Sequence, residues 1–161
     1  MKEIIINWLS NFPKELATFL IALIPVTELR ASIPVAYKFY GLSAFSAWLW
    51  SVLGVFFAMI VVVFLLDPVA AFLSKHLSAF EKFFNWLFDH TRRRTNGKME
   101  RYGEWAIFIL AATPVPFIGG LTGALAAFVF GVHWKKSLPL LLLGTMVSGG
   151  IVLAVTMLIN E

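Results

Sequence analysis

The sequence predicts an all-α integral membrane protein with two inverted repeats, each a re-entrant helical hairpin followed by a transmembrane helix. Three observations support this fold class: two long runs without a charge, two apolar stretches that proline interrupts, and a basic amphipathic segment between them. The composition agrees, because 60% of the 161 residues are hydrophobic and only 14% are charged, against about 25% charged in soluble domains. We therefore divide the chain into a first repeat (residues 1–66), a connector (67–104) and a second repeat (105–161).

The first twelve residues predict an amphipathic surface helix that leads into the first membrane segment. They begin with Lys2 and an apolar stretch, but they lack the long apolar core and the Ala-x-Ala-like cleavage site of a signal peptide. We therefore expect no cleaved signal peptide here.

Two apolar stretches, residues 16–37 and 105–132, predict the re-entrant hairpins. Proline and small polar residues interrupt each stretch near its middle, at 25–34 and at 113–123. Proline removes a backbone donor and disfavours helix at the residue before it. Each stretch is therefore expected to enter and leave the membrane on one side.

The two uncharged runs, residues 44–66 and 138–159, predict the transmembrane helices. Each is close to the ~20 apolar residues that cross a hydrocarbon layer about 30 Å thick. The alternative is a pair of helices in a soluble core, but so small a protein could not enclose two such helices.

A pattern of matched residues indicates that the two halves are repeats. The matched pairs, at offsets of 89 or 90 residues, are Gly41 with Gly131, Gly54 with Gly144, and Pro25-Val26 with Pro114-Val115. A chance alignment is the alternative. If each broken segment returns to its own side, each half crosses the membrane once, so the second half inserts inverted relative to the first.

The connector carries seven of the thirteen basic residues, which places it in the cytoplasm by the positive-inside rule. Apolar residues recur at helical spacing from Val69 to Phe88, with polar residues on the other face. This pattern predicts an amphipathic helix in the membrane interface, and the alternatives are a solvated linker or a helix packed on the second half. The arginines just beyond it are expected to contact anionic headgroups; they are Arg92, Arg93 and Arg94.

Glu28 and Arg30 are the ionisable residues within the two proline-containing breaks. A charge at membrane depth costs several kcal/mol unless it is paired or hydrated. We expect the chain between Pro25 and Pro34 to be extended, so that both side chains face one polar cavity. Glu28 would then take up a proton or a cation, with Arg30 as its counter-ion or as an anion anchor. A structural ion pair, or an Arg30 side chain that reaches the interface, are the alternatives.

The second break has no charge but supplies threonines and glycines whose backbone can approach a ligand. Helix ends at such a tip can bind anions or cations, whereas the alternative is a tight helix crossing lined by small residues. The candidate substrate- or ion-binding residues of both breaks are Glu28, Arg30, Thr27, Pro25, Pro34, Thr113, Pro114, Pro116, Gly119, Gly120, Thr122 and Gly123.

Other chemistries lack their residues. The chain has no cysteine, its three histidines are scattered, and no glycine-rich phosphate loop or Gly-x-Ser-x-Gly pattern occurs. The sequence therefore predicts no enzyme, no cofactor and no metal site. The net charge of +4 follows from the basic connector and does not indicate nucleic acid.

The two breaks carry recognisable motifs, Pro25-x-x-Glu28-Leu29-Arg30-x-x-Ile33-Pro34 and Pro114-x-Pro116-x-x-Gly119-x-x-Thr122-Gly123. With these motifs the chain resembles the putative small multi-drug export protein family over nearly its whole length. That family is similar in layout to DedA-like proteins, which have two facing re-entrant hairpins and include proposed lipid-phosphate transporters and scramblases. DedA-like proteins carry arginines in the second hairpin, whereas this chain has none there. The resemblance implies a small membrane transporter.

Three functions follow as hypotheses. The first is a secondary transporter, coupled to protons or another ion, for a small-molecule or lipid substrate. The second is a lipid scramblase or flippase, and the third is a membrane scaffold or envelope-homeostasis protein that transports nothing. We expect the chain in a prokaryotic inner membrane, with the lipid bilayer as a partner, and we consider a homodimer because a single chain is small for a transporter.

Overall fold

The computed structural model describes residues 13–24, 27–76, 82, 98–114 and 119–159. The regular elements within these ranges are all helical. They are α1 (Lys14–Leu23), α2 (Glu28–Pro34), which continues as a π-helical turn (Val35–Phe39), α3 (Ala44–His76), α4 (Lys98–Ala112), α5 (Gly120–Val129) and α6 (Trp134–Leu158). The predicted all-helical architecture is confirmed for this part of the chain.

Helices α3 and α6 are long and apolar enough to cross a membrane, over Ala44–Leu66 and Trp134–Leu158, with mean hydropathies of 2.8 and 2.2. Within the most apolar stretch of 18 residues in each helix, only 28% is buried inside the protein. A core helix of a soluble protein would be mostly buried, so these helices present their apolar surface to the outside, which fits contact with lipid. The two predicted long apolar helices are confirmed.

Helix α3 does not end where the predicted connector begins. It continues without a break through Pro68 to His76, so the first part of residues 67–104 extends the long helix. Val69 and Phe72 on this extension are exposed apolar side chains, as expected of a helix that still touches lipid. Most of the rest of the predicted interfacial helix, with Arg92, Arg93 and Arg94, lies outside the described residues.

The two long helices run antiparallel. Trp48, early in α3, donates its Nε1–H at 3.2 Å to the carbonyl oxygen of Met146, in the middle of α6. Further along α3, the Phe64 ring lies 5.7 Å from the ring of Trp134 at the start of α6. Because the contacts move backwards along α6 as α3 advances, the two helices would cross a membrane in opposite directions.

Each half folds its broken segment into a hairpin. In the first half, Ala17 and Ile21 of α1 bury against Tyr40, which follows the π-helical turn, so the two ends of the hairpin lie side by side. In the second half, Glu104 of α4 forms an ion pair of 2.8 Å with Lys136 at the start of α6. Because only residues 130–133 separate α5 from α6, this hairpin also returns to where it began.

The matched glycines of the two halves occupy equivalent contacts. A Cβ at position 54 would lie 2.5 Å from the carbonyl oxygen of Phe19, and one at position 144 would lie 2.8 Å from the carbonyl oxygen of Phe108. Phe19 and Phe108 are themselves 89 residues apart, the same offset as the prolines. Glycine therefore lets the long helix of each half approach the first helix of its own hairpin.

The turn glycines match as well. Gly41 and Gly131 have φ values of 65° and 64°, in the left-handed region that favours glycine. Each lies in the turn that leads from a hairpin into a long helix. Each long helix also packs on a short helix of the other half: α3 packs on α5, and α6 packs on α2.

Candidate functional site

The two breaks meet at the carboxylate of Glu28. This residue begins α2, and its backbone N–H donates to the Ile24 carbonyl at 3.1 Å across the first break. Its Oε2 atom lies 2.5 Å from where a Cβ of Gly119 would be. The carboxylate also accepts a hydrogen bond from the backbone N–H of Leu121, in the first turn of α5. An acidic side chain of one hairpin tip is thus held by the backbone of the other.

Two positive potentials act on this carboxylate. The guanidinium of Arg30 attracts it, and the N-terminus of α5 carries about half a positive charge from its aligned peptide dipoles. Adding a proton to Glu28 would weaken both attractions and the charge-assisted hydrogen bond from Leu121. The protonation state of one group can therefore change how tightly the two tips hold together.

The backbone of Glu28 is strained. Its φ is 39°, and within the described ranges it is the one residue other than glycine with a positive φ. Such a conformation costs roughly 1–3 kcal/mol and is concentrated at functional sites. This strain could not be predicted from the residue type, because a positive φ at a glutamate arises from the contacts around it and not from its own preference.

The expectation of an extended chain between Pro25 and Pro34 is wrong. Residues Glu28–Pro34 form a helix, and Pro34 is its last residue, so the proline does not interrupt the turns before it. The chain continues as the π-helical turn, in which the Tyr40 N–H donates to the Val35 carbonyl at 3.0 Å. Two residues apart on a helix, Glu28 and Arg30 point in different directions. Arg30 acts on Glu28 by its charge while its side chain also lines a neighbouring groove.

Two of the three threonines of the predicted site bind carbonyls near helix ends. The Thr27 hydroxyl donates to the Ile21 carbonyl at 2.7 Å, and the Thr113 hydroxyl donates to the Ile109 carbonyl at 2.6 Å. The Thr27 hydroxyl thus shares the Ile21 carbonyl near the end of α1 with the Ile24 N–H, and the Thr113 hydroxyl binds a carbonyl in the last turn of α4. Thr122 lies partly buried in α5.

The glycines of the second break differ in role. A Cβ at Gly120 would lie 2.7 Å from the Met59 sulfur, and one at Gly123 would lie 2.8 Å from a methyl carbon of Leu141. These two glycines let α5 pack against the long helices, as the alternative of a tight helix crossing predicted. Gly119 is the one that faces the carboxylate. Pro25 and Pro116 lie outside the described residues.

A groove of about 360 Å³ lies beside the first tip. One wall consists of Arg30, Pro34 and Lys38 from the first hairpin, and Pro114 lies at the second tip. The opposite wall is formed by side chains from the last part of α6, which are Ile151, Val152, Val155, Thr156 and Ile159. Lys38 is absent from the site predicted from the sequence, because on a regular helix a residue eight positions from Arg30 points away from it, and only the π-helical turn brings it back.

A second groove, of about 290 Å³, lies between α5 and the opposite end of the pair of long helices. Its lining includes Phe64 of α3, Phe128 of α5 and His133 before α6. Each groove therefore lies between the short helix of one hairpin and the long helix of the other half.

A comparison with protein families adds a finding to this geometry. The model of the family described as putative small multi-drug export protein matches residues 28–151, which begin at Glu28 and include the second break, all of α3 and most of α6. The chain belongs to this export family. No curated protein and no solved structure gives a match, and a relationship to DedA-like proteins is not shown. Membership in the export family and two helices that fit a membrane agree with a membrane transporter.

Replacement of Gly119 by alanine is expected to break the contact between Glu28 and Leu121 without unfolding the protein. The new Cβ would displace the carboxylate of Glu28 from Leu121, but a flexible side-chain end can move at a cost under about 1 kcal/mol. We expect a near-normal melting temperature and at least a tenfold loss of pH-dependent flux. Gly150→Ala is the control, because a Cβ at Gly150 meets nothing within 4 Å. Normal flux in Gly119→Ala would show that the contact between the two tips serves packing alone and has no part in transport.

Proposed function

We propose that this member of the export family is an ion-coupled secondary transporter in which Glu28 is the proton-binding group. The observation that carries the proposal is the contact of the Glu28 carboxylate with Gly119 and the Leu121 N–H. An acid that joins the two tips can link its own protonation to their separation. Secondary transporters commonly place coupling sites where interrupted helices of two repeats meet.

The proposal includes the re-entrant, inverted topology. It is supported by the antiparallel long helices, by the hairpin ends that lie side by side, and by the glycines that make matching contacts in both halves. In this topology the two breaks lie near the bilayer midplane, and the open ends of the hairpins face opposite sides. Irregular backbone is tolerated at that depth because the tips are buried against protein or line a cavity.

The cycle follows from the charge on Glu28. When the carboxylate is ionised, the α5 N-terminus and Arg30 hold it and the tips stay together. Protonation removes that attraction, so one hairpin can move away and open its groove to its own side of the membrane. The two grooves, beside α2 and beside α5, supply the two exits. Release of the proton on the other side restores the closed arrangement.

A proton-exchange assay tests the proposal. Everted vesicles that contain the protein are acidified inside, and the dequenching of acridine orange is followed as candidate anionic and cationic amphiphiles are added. We expect substrate-dependent proton release with the wild type, at least a tenfold loss with Glu28→Gln, and no loss with Glu15→Gln, a carboxylate of the same hairpin at the start of α1. Lipid exchange without a gradient would indicate a scramblase, and no flux of either kind a scaffold; both outcomes contradict the proposal.

Topology is tested separately, and the lack of native cysteine makes the experiment clean. Cysteines introduced at Lys14 and Lys38 should react with an impermeant maleimide from the same side of the membrane. Cysteines at Arg93 and Lys136 should react from the opposite side. Reaction of positions 14 and 38 from opposite sides would contradict the first re-entrant hairpin, and normal expression of each variant is the control.

A further inference from the structure

The groove beside the first tip combines two positive charges with an apolar wall. Arg30 is partly buried and Lys38 is exposed, and both belong to the same wall. No acidic side chain of the described residues lines this groove. The Glu28 carboxylate is instead directed to Gly119 and Leu121. The groove is therefore complementary to an anion.

The π-helical turn explains how both charges reach one groove. On a regular helix, positions eight residues apart drift away from a common line, whereas a turn with an additional residue rotates the chain back. The turn at Val35–Phe39 lies between Arg30 and Lys38. Arg30 and Lys38 are thus separated by about 12 Å along the helix axis, with Arg30 near the tip and Lys38 at the far end of the groove.

The opposite wall is a hydrocarbon-like surface. Ile151 and Val155 of α6, and Ile159 just after it, are exposed apolar residues at 43%, 48% and 73%, and α6 is a helix that fits a membrane span. An apolar wall on such a helix favours a ligand that enters from the bilayer. The volume of about 360 Å³ is at the small end of the range of roughly 300–1,000 Å³ for ligand pockets, which favours one apolar chain over two.

We propose that this groove binds a single-chain amphiphilic carboxylate, with its head on Arg30 and its tail along α6. Lys38 captures the anion at the membrane surface, and Arg30 holds it at the tip. A guanidinium offers five N–H donors in a planar fork, so Arg30 can bind the carboxylate and keep its contacts within the protein. The inference rests on the proposed transport function, because it names the class of molecule that is carried.

Photolabelling tests the site directly. The purified protein in phosphatidylcholine nanodiscs is irradiated with a diazirine-bearing fatty acid or with the corresponding neutral fatty alcohol, and labelled residues are located by mass spectrometry. The acid should label residues 151–159 of α6 preferentially, and the alcohol should label exposed positions of α3 and α6 alike. Val155→Trp, which fills the groove, should remove the preferential labelling. An acid that labels the same positions as the alcohol overturns the proposal.

The charge requirement is tested with matched variants. Arg30→Gln should weaken labelling by the acid about tenfold, and Lys38→Gln, on an exposed residue that is safe for folding, about threefold. Lys14→Gln is the control, because it removes one charge from the same hairpin outside the groove. The proposal is overturned if labelling is unchanged in both groove variants. It is also overturned if phosphatidylglycerol displaces the acid as effectively as unlabelled fatty acid does.

This experiment can fail independently of the transport proposal, because the labelling is measured without any gradient. Labelling of the groove with no proton exchange leaves the anion site standing and removes the transport function. Proton exchange with no preferential labelling removes the anion site and leaves the coupling role of Glu28 standing.

Discussion

Alanine at Gly144 is expected to destabilise the protein strongly, and alanine at Gly54 should do the same. At position 144 the new Cβ would lie 2.6 Å from the Ala111 Cβ and 2.8 Å from the Phe108 carbonyl oxygen. Backbone atoms cannot move aside as a side-chain end can, so α6 must shift away from α4. Overpacking of this kind costs about 1–3 kcal/mol.

The measurement is the melting temperature of the detergent-solubilised variants, with Gly150→Ala as the control on the same helix. Gly150 meets nothing within 4 Å, and alanine is favoured over glycine in a helix by up to ~1 kcal/mol. Gly150→Ala should therefore be neutral or slightly stabilising. If only one of Gly54→Ala and Gly144→Ala lowers the melting temperature, the two halves do not use equivalent contacts.

Glu28→Gln is expected to abolish proton-coupled flux while the protein remains folded. Glutamine has no charge, so it mimics the protonated side chain and weakens the attraction between the tips, and it can no longer exchange a proton. A structural ion pair with Arg30 behaves differently. Removing one partner of a buried pair leaves the other charge unpaired and costs about 3–5 kcal/mol.

These two roles are separated by measuring stability and flux in three variants, which are Glu28→Gln, Arg30→Gln and the double variant. For a coupling site we expect small effects of both single changes on the free energy of unfolding, well below the cost of breaking a buried pair, with flux lost in the double variant as in Glu28→Gln. A double variant that regains stability lost in both single variants and also retains flux would show a structural pair and end the coupling hypothesis.

The sequence by itself determined the long helices and the places where the other helices break. Uncharged runs of membrane length identify α3 and α6, and proline marks both breaks. These features depend on residues adjacent in the chain, because local hydropathy and backbone preference need no tertiary contact. The matched spacing of Gly54 and Gly144 also predicts an inverted repeat, which stays a prediction, and both glycines lie where two helices approach closely.

Only the tertiary structure decided what each residue of the two breaks does. Three glycines in sequence look alike, yet Gly119 faces the carboxylate of Glu28 while Gly120 and Gly123 pack against long helices. Lys38 joins the groove of Arg30 because a π-helical turn and the far end of α6 bring them together. Such roles depend on contacts between residues distant in the chain, and neither hydropathy nor backbone preference encodes which of several similar side chains meets a given partner.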